Sequence, residues 1–515
     1  MSYSLDGILI LQRLIAADIP VSRIPSVGVE LSQGLFVGTN FTTSALTGLQ
    51  LLLVRANRIV LDIYWNNGAR IWQLCPQAFS ANQNGTGDVL LANGVTCSYP
   101  PISFDTVLQN MKAFVDSQPG ASLPYYTVVL NLFDLSLSAV DGVSSTHGSL
   151  SESINTNFEG AVLTPSVYGQ FVSEGGDHSP YYTYGGTVLS ANVFPTLSTM
   201  QKRSWRFVFA FGTNQLTNTS GYTQSSDFSV VFSASQMNAV PVLTSAAINY
   251  QQDGSIANCV SPASGIAMNG TGFDLAYAKY SATNASVQQV LSWDFAFVRE
   301  TASNPFTQST VTQLSRCGFS PLFIKNITDP LTNASIWNWN YGQPTLDNNL
   351  NCAVIFSNTS RWTNTDCYGS FRAACRNSSE PYSWSISQAN STFDLVGCPT
   401  GLQFDAPHTP LENMALVDAM AAANLQTAWV NYYQTTPRCW VVGSETQCPI
   451  QQPSTNAVEV IGENLVSSIF IVLLFLLFLA YQGRSQLHTS RDNRRKAEVR
   501  RKIKQMEYQS VKKME

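Results

Sequence analysis

The stretch RIVLDIYW (Arg58–Trp65), together with YYTVVLNLFDL (Tyr125–Leu135), decides the fold class of this 515-residue chain. Both are runs of β-branched, aromatic and aliphatic residues of strand length. Arg206–Phe211 and Trp293–Val298 have the same character. The sequence therefore predicts strands at these four points.

Helical patterns lie between these strands, at Ser44–Ala56 and Phe104–Asp116. In the second, apolar residues recur at i, i+4, i+7 and i+8 and give one buried face, namely at Val107, Met111, Phe114 and Val115. Strand–helix alternation from residue 26 to 323 fits an α/β barrel of the TIM type, which needs about 250 residues. A doubly wound open sheet is the alternative, although no Gly-rich phosphate loop follows any of the strands.

Charge is scarce and unevenly distributed. Only 12% of the residues are charged, about half of the ~25% usual in soluble proteins. Residues 484–515 carry 11 Lys and Arg against 4 Asp and Glu, a net charge of +7, and the rest of the chain has −12. Because nucleic-acid binding needs clustered cations, this acidic body argues against a nucleic-acid partner.

An apolar run lies directly before the basic tail. Leu465–Tyr481, LVSSIFIVLLFLLFLAY, has 17 residues without a charge, and with its neutral neighbours it approaches the ~20 residues of a transmembrane helix. A buried core helix is the alternative. The Arg and Lys that follow place the tail, 482–515, in the cytoplasm. We therefore predict a single-pass type I membrane protein that contacts membrane lipid through this span and has a lumenal or extracellular body.

Cysteines and sequons agree with that orientation. All ten cysteines precede the membrane segment, as expected in an oxidising compartment. Ten Asn-X-Ser/Thr sequons also precede it, at Asn40, Asn84, Asn218, Asn269, Asn284, Asn326, Asn333, Asn358, Asn377 and Asn390. These features predict a disulfide-bonded glycoprotein of the secretory pathway. Residues 1–25 offer only Gly7–Leu11 as an apolar run, so we expect the export signal to be missing from this sequence.

A second domain is expected over residues 324–450, followed by a linker over 451–464. Its most specific stretch is Ile336–Arg376, IWNWNYGQPTLDNNLNCAVIFSNTSRWTNTDCYGSFRAACR. The motif W-x-W-x-x-G-Q-P, then Asn-Cys, then the spacing Trp362–Cys367–Cys375, resembles the C-terminal half of a C-type lectin-like domain. Residues 398–449 resemble, in an unusual order, the opening helix and the Trp-containing strand of the same α+β domain.

The lectin-like resemblance implies a disulfide pattern and a metal-free scaffold. It implies a Cys352–Cys367 bridge and a bridge from Cys375 back to an upstream cysteine such as Cys317. Sugar-binding lectins hold Ca²⁺ at positions that are here Gln343, Thr345, Thr363 and Asn364. Two carboxylates are replaced by neutral groups, which weakens binding of a hard divalent cation. We expect no metal and no cofactor, with a Ca²⁺-dependent glycan site as the alternative.

Over nearly its whole length, the chain resembles the fungal family called maintenance of telomere capping protein 6. The matching blocks run in order, and they are Leu61–Pro76, Ser315–Phe323, the lectin-like block, Cys398–Asn413, Cys439–Pro449 and the membrane span. The resemblance implies a type I glycoprotein with a signal peptide and an indirect role in telomere capping. It also implies a lumenal barrel similar to the phosphatidylinositol-specific phospholipase C fold.

Such a barrel uses two histidines at strand ends as general base and acid. The expected opening strand, Val27–Leu35, has no histidine after it, and His147 and His178 fall in Ser- and Gly-rich insertions such as Gly142–Tyr184. Both are interpreted as solvated loop histidines. Four carboxylates lie on or near predicted strands, and each most often forms an ion pair or a loop cap: Asp62, Asp134, Asp294 and Glu300. A pair of carboxylates about 5–10 Å apart on one rim would instead support glycoside chemistry.

The sequence favours a non-enzymatic membrane glycoprotein with a binding or structural ectodomain and no catalytic residues. A glycan or a protein is the expected ligand of that ectodomain. Two alternatives remain: a barrel enzyme that cleaves phosphodiester or glycosidic bonds, and a glycan-binding lectin-like receptor.

Overall fold

The structure is a computed structural model. It describes residues 3–66, 69–77, 79, 86–117, 125–135, 148–177, 183–184, 187–188, 194–212, 222, 224–233, 236, 242–244, 297–300, 302, 305–316, 318–347, 349–436, 439–443 and 493–506. The chain divides into two compact units, Met1–Gln452 and Pro453–Glu515.

A mainly parallel sheet dominates the N-terminal part of the first unit. Its strands are β1 (Gly28–Glu30), β3 (Arg58–Asn66), β4 (Ile71–Gln73), β7 (Tyr126–Asp134), β10 (Phe207–Phe211), β11 (Val242–Thr244), β12 (Phe297–Arg299) and β13 (Ser320–Phe323). Their order is β10-β7-β3-β1-β13-β12-β11, with every pairing along this path parallel and β4 antiparallel on β3. The first strand therefore pairs with the last.

That pairing distinguishes a barrel from an open sheet. In a barrel the strands follow one another in sequence order and the last returns to the first, whereas a doubly wound sheet runs outward in two directions from its centre. Beyond β10 the ladder continues at a bridge between Ala210 and Phe232. The predicted α/β class is confirmed, and the topology is that of a partial TIM-type barrel.

Helices accompany these strands. The described α-helices of the first unit are α1 (Leu5–Leu14), α2 (Leu31–Gly34), α3 (Thr43–Leu46), α4 (Leu49–Arg55), α5 (Phe104–Ser117), α6 (Leu150–Phe158), α7 (Pro165–Ser173), α8 (Leu197–Lys202), α9 (Gln308–Arg316), α10 (Asp329–Ala334) and α11 (Pro410–Ala422). Short 3-10 turns lie at Val21–Arg23, Gln224–Asp227 and Phe393–Leu395.

Three local expectations need correction. The expected helix over 44–56 is two short helices, α3 and α4. The expected opening strand over 27–35 ends at Glu30, where α2 begins. The insertion over 142–184, expected to be a loop, contains α6 and α7, because Ser149 and Thr164 cap these helices by accepting bonds from Glu152 N and Val167 N.

A second large sheet occupies the region after residue 350. Its strands are β14 (Cys352–Phe356), β15 (Arg361–Thr365), β16 (Arg372–Arg376), β17 (Trp384–Ile386), β18 (Gln403–Phe404), β19 (Thr427–Thr436) and β20 (Cys439–Val442). The order is β15-β14-β19-β16-β17, with β18 on β16 and β20 on β19. Small sheets are formed by β2 (Asn40–Phe41), β5 (Gly87–Leu90) and β6 (Thr96–Tyr99), and by β8 (Thr183–Tyr184) and β9 (Thr187–Val188).

The second sheet has a tryptophan-rich core that also holds the N-terminal segment. Trp339 packs against Trp362 and Trp440, with ring centroids 5.9 and 4.9 Å apart. Leu11 of α1 is fully buried in the same cluster. Tyr3 Oη accepts a hydrogen bond from Trp440 Nε1 at 3.1 Å. Residues 3–25 are therefore part of the folded body.

Disulfide bonds fix both sheet regions. Cys352 is joined to Cys367, the pair that the lectin-like resemblance implied. Cys375 is joined to Cys398, so the implied bridge from Cys375 to an upstream cysteine such as Cys317 is wrong. The physical reason is that β16 pairs with β18, which brings the segment around residue 400 to the end of β16. A further bridge joins Cys75 to Cys97.

The second unit is described only over residues 493–506, an exposed helix in the basic tail. The apolar run Leu465–Tyr481 and the linker 451–464 lie outside the described residues. Among the helices that the structure does describe, none has the length and apolar character needed to cross a bilayer.

Candidate functional site

The apolar interior of the barrel ends in polar side chains at the carboxyl edge of the sheet. Val60 and Val129 belong to one buried cluster, and two residues further along the same strands stand Asp62 and Asn131. Side chains two apart share a face of a strand, so these polar groups continue the inward-facing rows. The residues that meet here, called the mouth cluster below, are Glu30, Ser32, Asp62, Asn131 and Arg299.

Hydrogen bonds join the whole mouth cluster. Arg299 donates from Nε and Nη2 to Glu30 Oε2, at 2.7 and 2.6 Å. Ser32 Oγ donates to Asp62 Oδ2 at 2.7 Å and lies 3.4 Å from Glu30 Oε1. Asn131 Nδ2 donates to Asp62 Oδ1 at 2.8 Å. Since one hydroxyl reaches both carboxylates, their nearest oxygens lie within about 6 Å of each other. This limit is compatible with the roughly 5–5.5 Å between the paired carboxyl groups of retaining glycosidases.

The electrostatics of the cluster follow from burial. Burial raises the pKa of the Glu30 carboxyl, and Arg299 opposes this shift without cancelling it. Burial, with the nearby charges of Asp62 and Glu30, raises the pKa of Tyr64 to about 12. The Tyr64 ring stacks on Phe133 at 5.0 Å. The mouth therefore combines an aromatic pair with charge-assisted hydrogen bonds, which suits a polar ligand with one apolar face.

The structure describes the side chains of two of the four acids that were singled out in the sequence, Asp62 and Glu300. Asp62 belongs to the mouth cluster. Glu300 is 1% exposed, and its Oε1 pairs with Lys325 and accepts from Phe306 N, both at 2.6 Å. It therefore has the structural role expected for it. The side chain of Asp134 and all of Asp294 lie outside the described residues, as do His147 and His178.

Four members of the mouth cluster were missed by sequence reasoning: Glu30, Ser32, Asn131 and Arg299. For Asn131 a signal was present, since it stands two positions after the inward-facing Val129 on the same strand and so faces the same interior. Applying it required the knowledge of which face of each strand is the interior. That information comes from the packing of the helices on the other face.

Two of the positions that hold Ca²⁺ in sugar-binding lectins, here Thr345 and Asn364, are hydrogen-bonded to each other in this protein. Asn364 Oδ1 accepts from Thr345 N at 2.9 Å, and Asn364 Nδ2 donates to Thr345 O and Leu350 O at 3.0 and 2.9 Å. These bonds tie the loop after the Gln343–Pro344 peptide to β15. Within the described part of the chain, no group of three or more His, Cys, Asp or Glu residues is placed to hold a metal ion.

A second charged group, called the buried ion cluster below, lies beside β16. Arg376 donates to Asp405 Oδ2 from Nε and Nη2 at 2.8 and 2.6 Å, and its Nη1 lies 3.7 Å from Glu412 Oε2. His408 Nε2 lies 3.6 Å from Asp405 Oδ1. Burial lowers the pKa of His408, but Asp405 and Glu412 outweigh it and the net shift is upward. The arrangement balances charge inside the second domain and has a structural role.

A parallel sheet whose first and last strands pair, with polar groups at its carboxyl edge, defines a protein of the α/β barrel class. Residues 1–338 match the family model described as MTC6 partial TIM-barrel domain. The chain belongs to that family, and the family expected from the sequence is confirmed.

Relatives of similar length carry the name "Maintenance of telomere capping protein 6". The protein from Candida tropicalis is 24% identical over 90% of this chain and 88% of its own length. That from Komagataella phaffii is 25% identical, over 90% and 89%. That from Candida albicans is 23% identical, over 97% and 93%.

Solved structures give weak likenesses. A calcium-dependent phosphoinositol-specific phospholipase C from a Pseudomonas species is 14% identical, with a TM-score of 0.32, over 60% of this chain and 91% of that chain. A Ca²⁺-dependent phosphatidylinositol-specific phospholipase C from Streptomyces antibioticus is 13% identical, with a TM-score of 0.31, over 62% and 97%. At such TM-scores the likeness says nothing about the chemistry of this chain.

Proposed function

We propose that this chain is a non-enzymatic membrane glycoprotein whose barrel mouth binds a hydroxyl-rich ligand such as a glycan. One observation carries the proposal: both carboxylates of the mouth cluster are already engaged by donors of the protein. Arg299 holds Glu30, and Ser32 and Asn131 each occupy one oxygen of Asp62.

A catalytic carboxylate must reach the substrate with an oxygen that can attack it or transfer a proton. Glu30 is only 8% exposed, so a substrate has little access to its carboxyl group. The Arg299 side chain is 35% exposed and keeps donors for ligand hydroxyls. The stacked Tyr64 and Phe133 rings provide an apolar face of the kind on which a sugar ring packs.

The enzyme alternative has its own support. The nearest Glu30 and Asp62 oxygens lie within about 6 Å of each other, which is compatible with an acid and nucleophile pair acting on a glycosidic bond. Burial raises the pKa of Glu30, as for a general acid. The engagement of Asp62 by two donors is what favours binding over this alternative.

Turnover measurements separate the two. The full-length chain in mild detergent is incubated with p-nitrophenyl glycosides and with phosphatidylinositol vesicles, and compared with Asp62→Asn. We expect no turnover above that variant, while sugar and myo-inositol titrations shift the melting temperature of the wild type more than that of Asp62→Asn. Turnover that Asp62→Asn abolishes would establish the enzyme instead. No thermal shift with any of these polyols would refute ligand binding at the mouth.

We also propose the type I topology, with Leu465–Tyr481 as the span and the body lumenal or extracellular. Several sequon asparagines are accessible in support of this: Asn40, Asn326, Asn358 and Asn390 are exposed, and Asn333 and Asn377 are half-buried. Asn84, Asn218, Asn269 and Asn284 lie outside the described residues. Glycosidase treatment of the protein expressed in a fungal cell should produce a large gel shift, and the absence of a shift would place the body in the cytosol.

The second domain is proposed to be a metal-free lectin-like scaffold that binds a glycan or a protein. Its support is the pair Cys352–Cys367 around the Trp362 strand and the helix α11 followed by the Trp429 strand. Through the name of its relatives, the chain is proposed to contribute indirectly to telomere capping. Calcium titration of the full-length chain tests the scaffold, since Ca²⁺-dependent stabilisation would favour the lectin alternative.

A further inference from the structure

A cleft lies at the opposite end of the barrel from the mouth cluster. Its space is about 600 Å³ when the open solvent at its entrance is included. Its wall includes residues at the amino ends of β1, β3 and β13, such as Val27, Asn57 and Pro321. The other walls come from α1, through Gln12 and Arg13, and from the second domain. We call this the floor cleft.

The charges that line the floor cleft have one sign. Its 17 described lining residues include Arg13, Arg55 and His408 and no Asp or Glu. Two of these cations already have acidic neighbours, since Arg55 pairs with Asp329 and His408 lies beside Asp405. Among the described residues, Arg13 is the lining cation without a direct ion-pair partner, and the acid whose charge acts on it is Asp6.

Arg13 is half-buried in the wall of the cleft. Among the described residues its guanidinium makes no hydrogen bond or ion pair. Burial lowers its pKa, and the nearby Tyr126, Tyr125 and Asp6 oppose that shift. A guanidinium without a direct partner keeps its N–H donors available, and a bound anion would accept hydrogen bonds from it in the geometry that arginine favours.

Neutral donors surround the same space. Gln12 Oε1 accepts from Trp337 N at 2.9 Å, which leaves the Gln12 amide nitrogen free to donate into the cleft that this residue lines. Ser26, Asn57 and Thr409 also line it. A guanidinium and several amide and hydroxyl donors in a small space match the several acceptor oxygens of a tetrahedral oxyanion.

We propose that the floor cleft binds a small phosphate group, with Arg13 as its main anchor and Gln12 as a further donor. The group comes either from free phosphate or from a small phosphate ester. This site is independent of the mouth cluster and of any ligand bound there, since it lies at the other end of the strands.

The test is thermal unfolding of the full-length chain in mild detergent at constant ionic strength, with inorganic phosphate, glycerol 3-phosphate or sodium acetate added. Ligand that binds only the folded state raises the melting temperature by mass action. We expect stabilisation by at least one of the two phosphates at millimolar concentration and a smaller effect of acetate. Stabilisation by glycerol 3-phosphate alone would identify an ester, and stabilisation by inorganic phosphate would identify the free ion as sufficient.

Two variants localise the binding. Arg13→Gln should raise the Kd about tenfold or more, the usual effect of losing a charge-assisted hydrogen bond. Gln12→Glu keeps the acceptor for Trp337 N and adds a negative charge to the lining of the cleft, so it should also abolish binding of an anion even if Arg13→Gln does not fold. Lys112→Gln, which removes an exposed cation of α5 paired with Asp116, is the matched control and should bind normally.

Two results would overturn the proposal. One is the absence of stabilisation by either phosphate up to tens of millimolar. The other is unchanged phosphate binding in both Arg13→Gln and Gln12→Glu, which would show that any phosphate effect comes from elsewhere on the chain.

Discussion

Replacing Asp405 by Asn should destabilise the second domain by about 2 to 3 kcal/mol at pH 7. Asp405 is the central anion of the buried ion cluster, and its side chain is 15% exposed. Burial by itself raises the pKa of Asp405, but the hydrogen bonds and charges of His408 and Arg376 outweigh burial and hold the pKa at about 2, below the ordinary 3.8. The difference corresponds to about 2.5 kcal/mol at ~1.36 kcal/mol per pH unit.

The sign of the pH dependence follows from linkage. A carboxyl whose pKa is depressed by folding stabilises the protein above its unfolded pKa and loses this contribution as the pH falls through the folded value. For Asp405 the contribution is complete above about pH 5 and falls through the range from 3.8 to about 2. The stability gap between wild type and Asp405→Asn should therefore shrink to about half at pH 3.

Urea unfolding followed by tryptophan fluorescence measures this gap at pH 7 and pH 3, and hydrogen exchange of the β16 amides locates it. Asp394→Asn is the matched control, because Asp394 is an exposed carboxylate in the same domain, and it should change the stability by less than ~0.5 kcal/mol. A gap below about 1 kcal/mol at pH 7, or one that is equal at both pH values, would refute the reasoning from the ion cluster.

Three further outcomes are expected. Non-reducing digestion should yield a peptide pair joined through Cys375 and Cys398, and replacing both by Ala should cost about 3 kcal/mol in urea unfolding, since the bridge closes a loop with a sequence separation of 23. Trp362→Phe should cost about 2 to 4 kcal/mol in the same assay, because this fully buried indole donates a hydrogen bond at 2.8 Å to an amide oxygen. Gly212→Ala should cost about 1 to 3 kcal/mol, because the added methyl would lie 2.1 Å from Asn131 Oδ1, and calorimetry would contradict this if the melting temperature stayed unchanged.

The sequence predicted the elements that are driven by burial. The strands at 58–65 and 125–135 are observed as β3 and β7, and the helix at 104–116 as α5, because long apolar runs and a helical stripe leave few other ways to bury their surface. The two helices inside the 142–184 insertion were missed, although the capping pattern from Ser149 to Glu152 was readable. The polar composition of this insertion indicated a loop, whereas its local capping signal indicated a helix.

The sequence predicted only part of the candidate site, because contacts between distant segments bring its other residues together. Asp62 could be selected because it interrupts an apolar strand, whereas Arg299 has no distinction in sequence until Glu30, distant in the chain, is seen to pair with it. The pairing of Cys375 likewise depended on β18 packing beside β16. In both cases the missing information was tertiary contact between segments far apart in sequence, which no local pattern contains.

The two candidate sites lie at opposite ends of the barrel strands. Ligand groups of α/β barrels gather at the carboxyl ends of the strands, and the amino ends normally serve stability. Here α1 and the second domain cover part of the amino end, and Arg13 lines the cleft there without a direct ion-pair partner among the described residues. A purely structural interface would gain by pairing this half-buried cation with an acid. Gln12→Glu offers such an acid, so it should raise the melting temperature in the absence of phosphate while abolishing the phosphate effect. A decrease in stability would mean that an anionic group in the cleft forms no favourable pair with Arg13, and the argument for a bound anion at the floor cleft would fail with it.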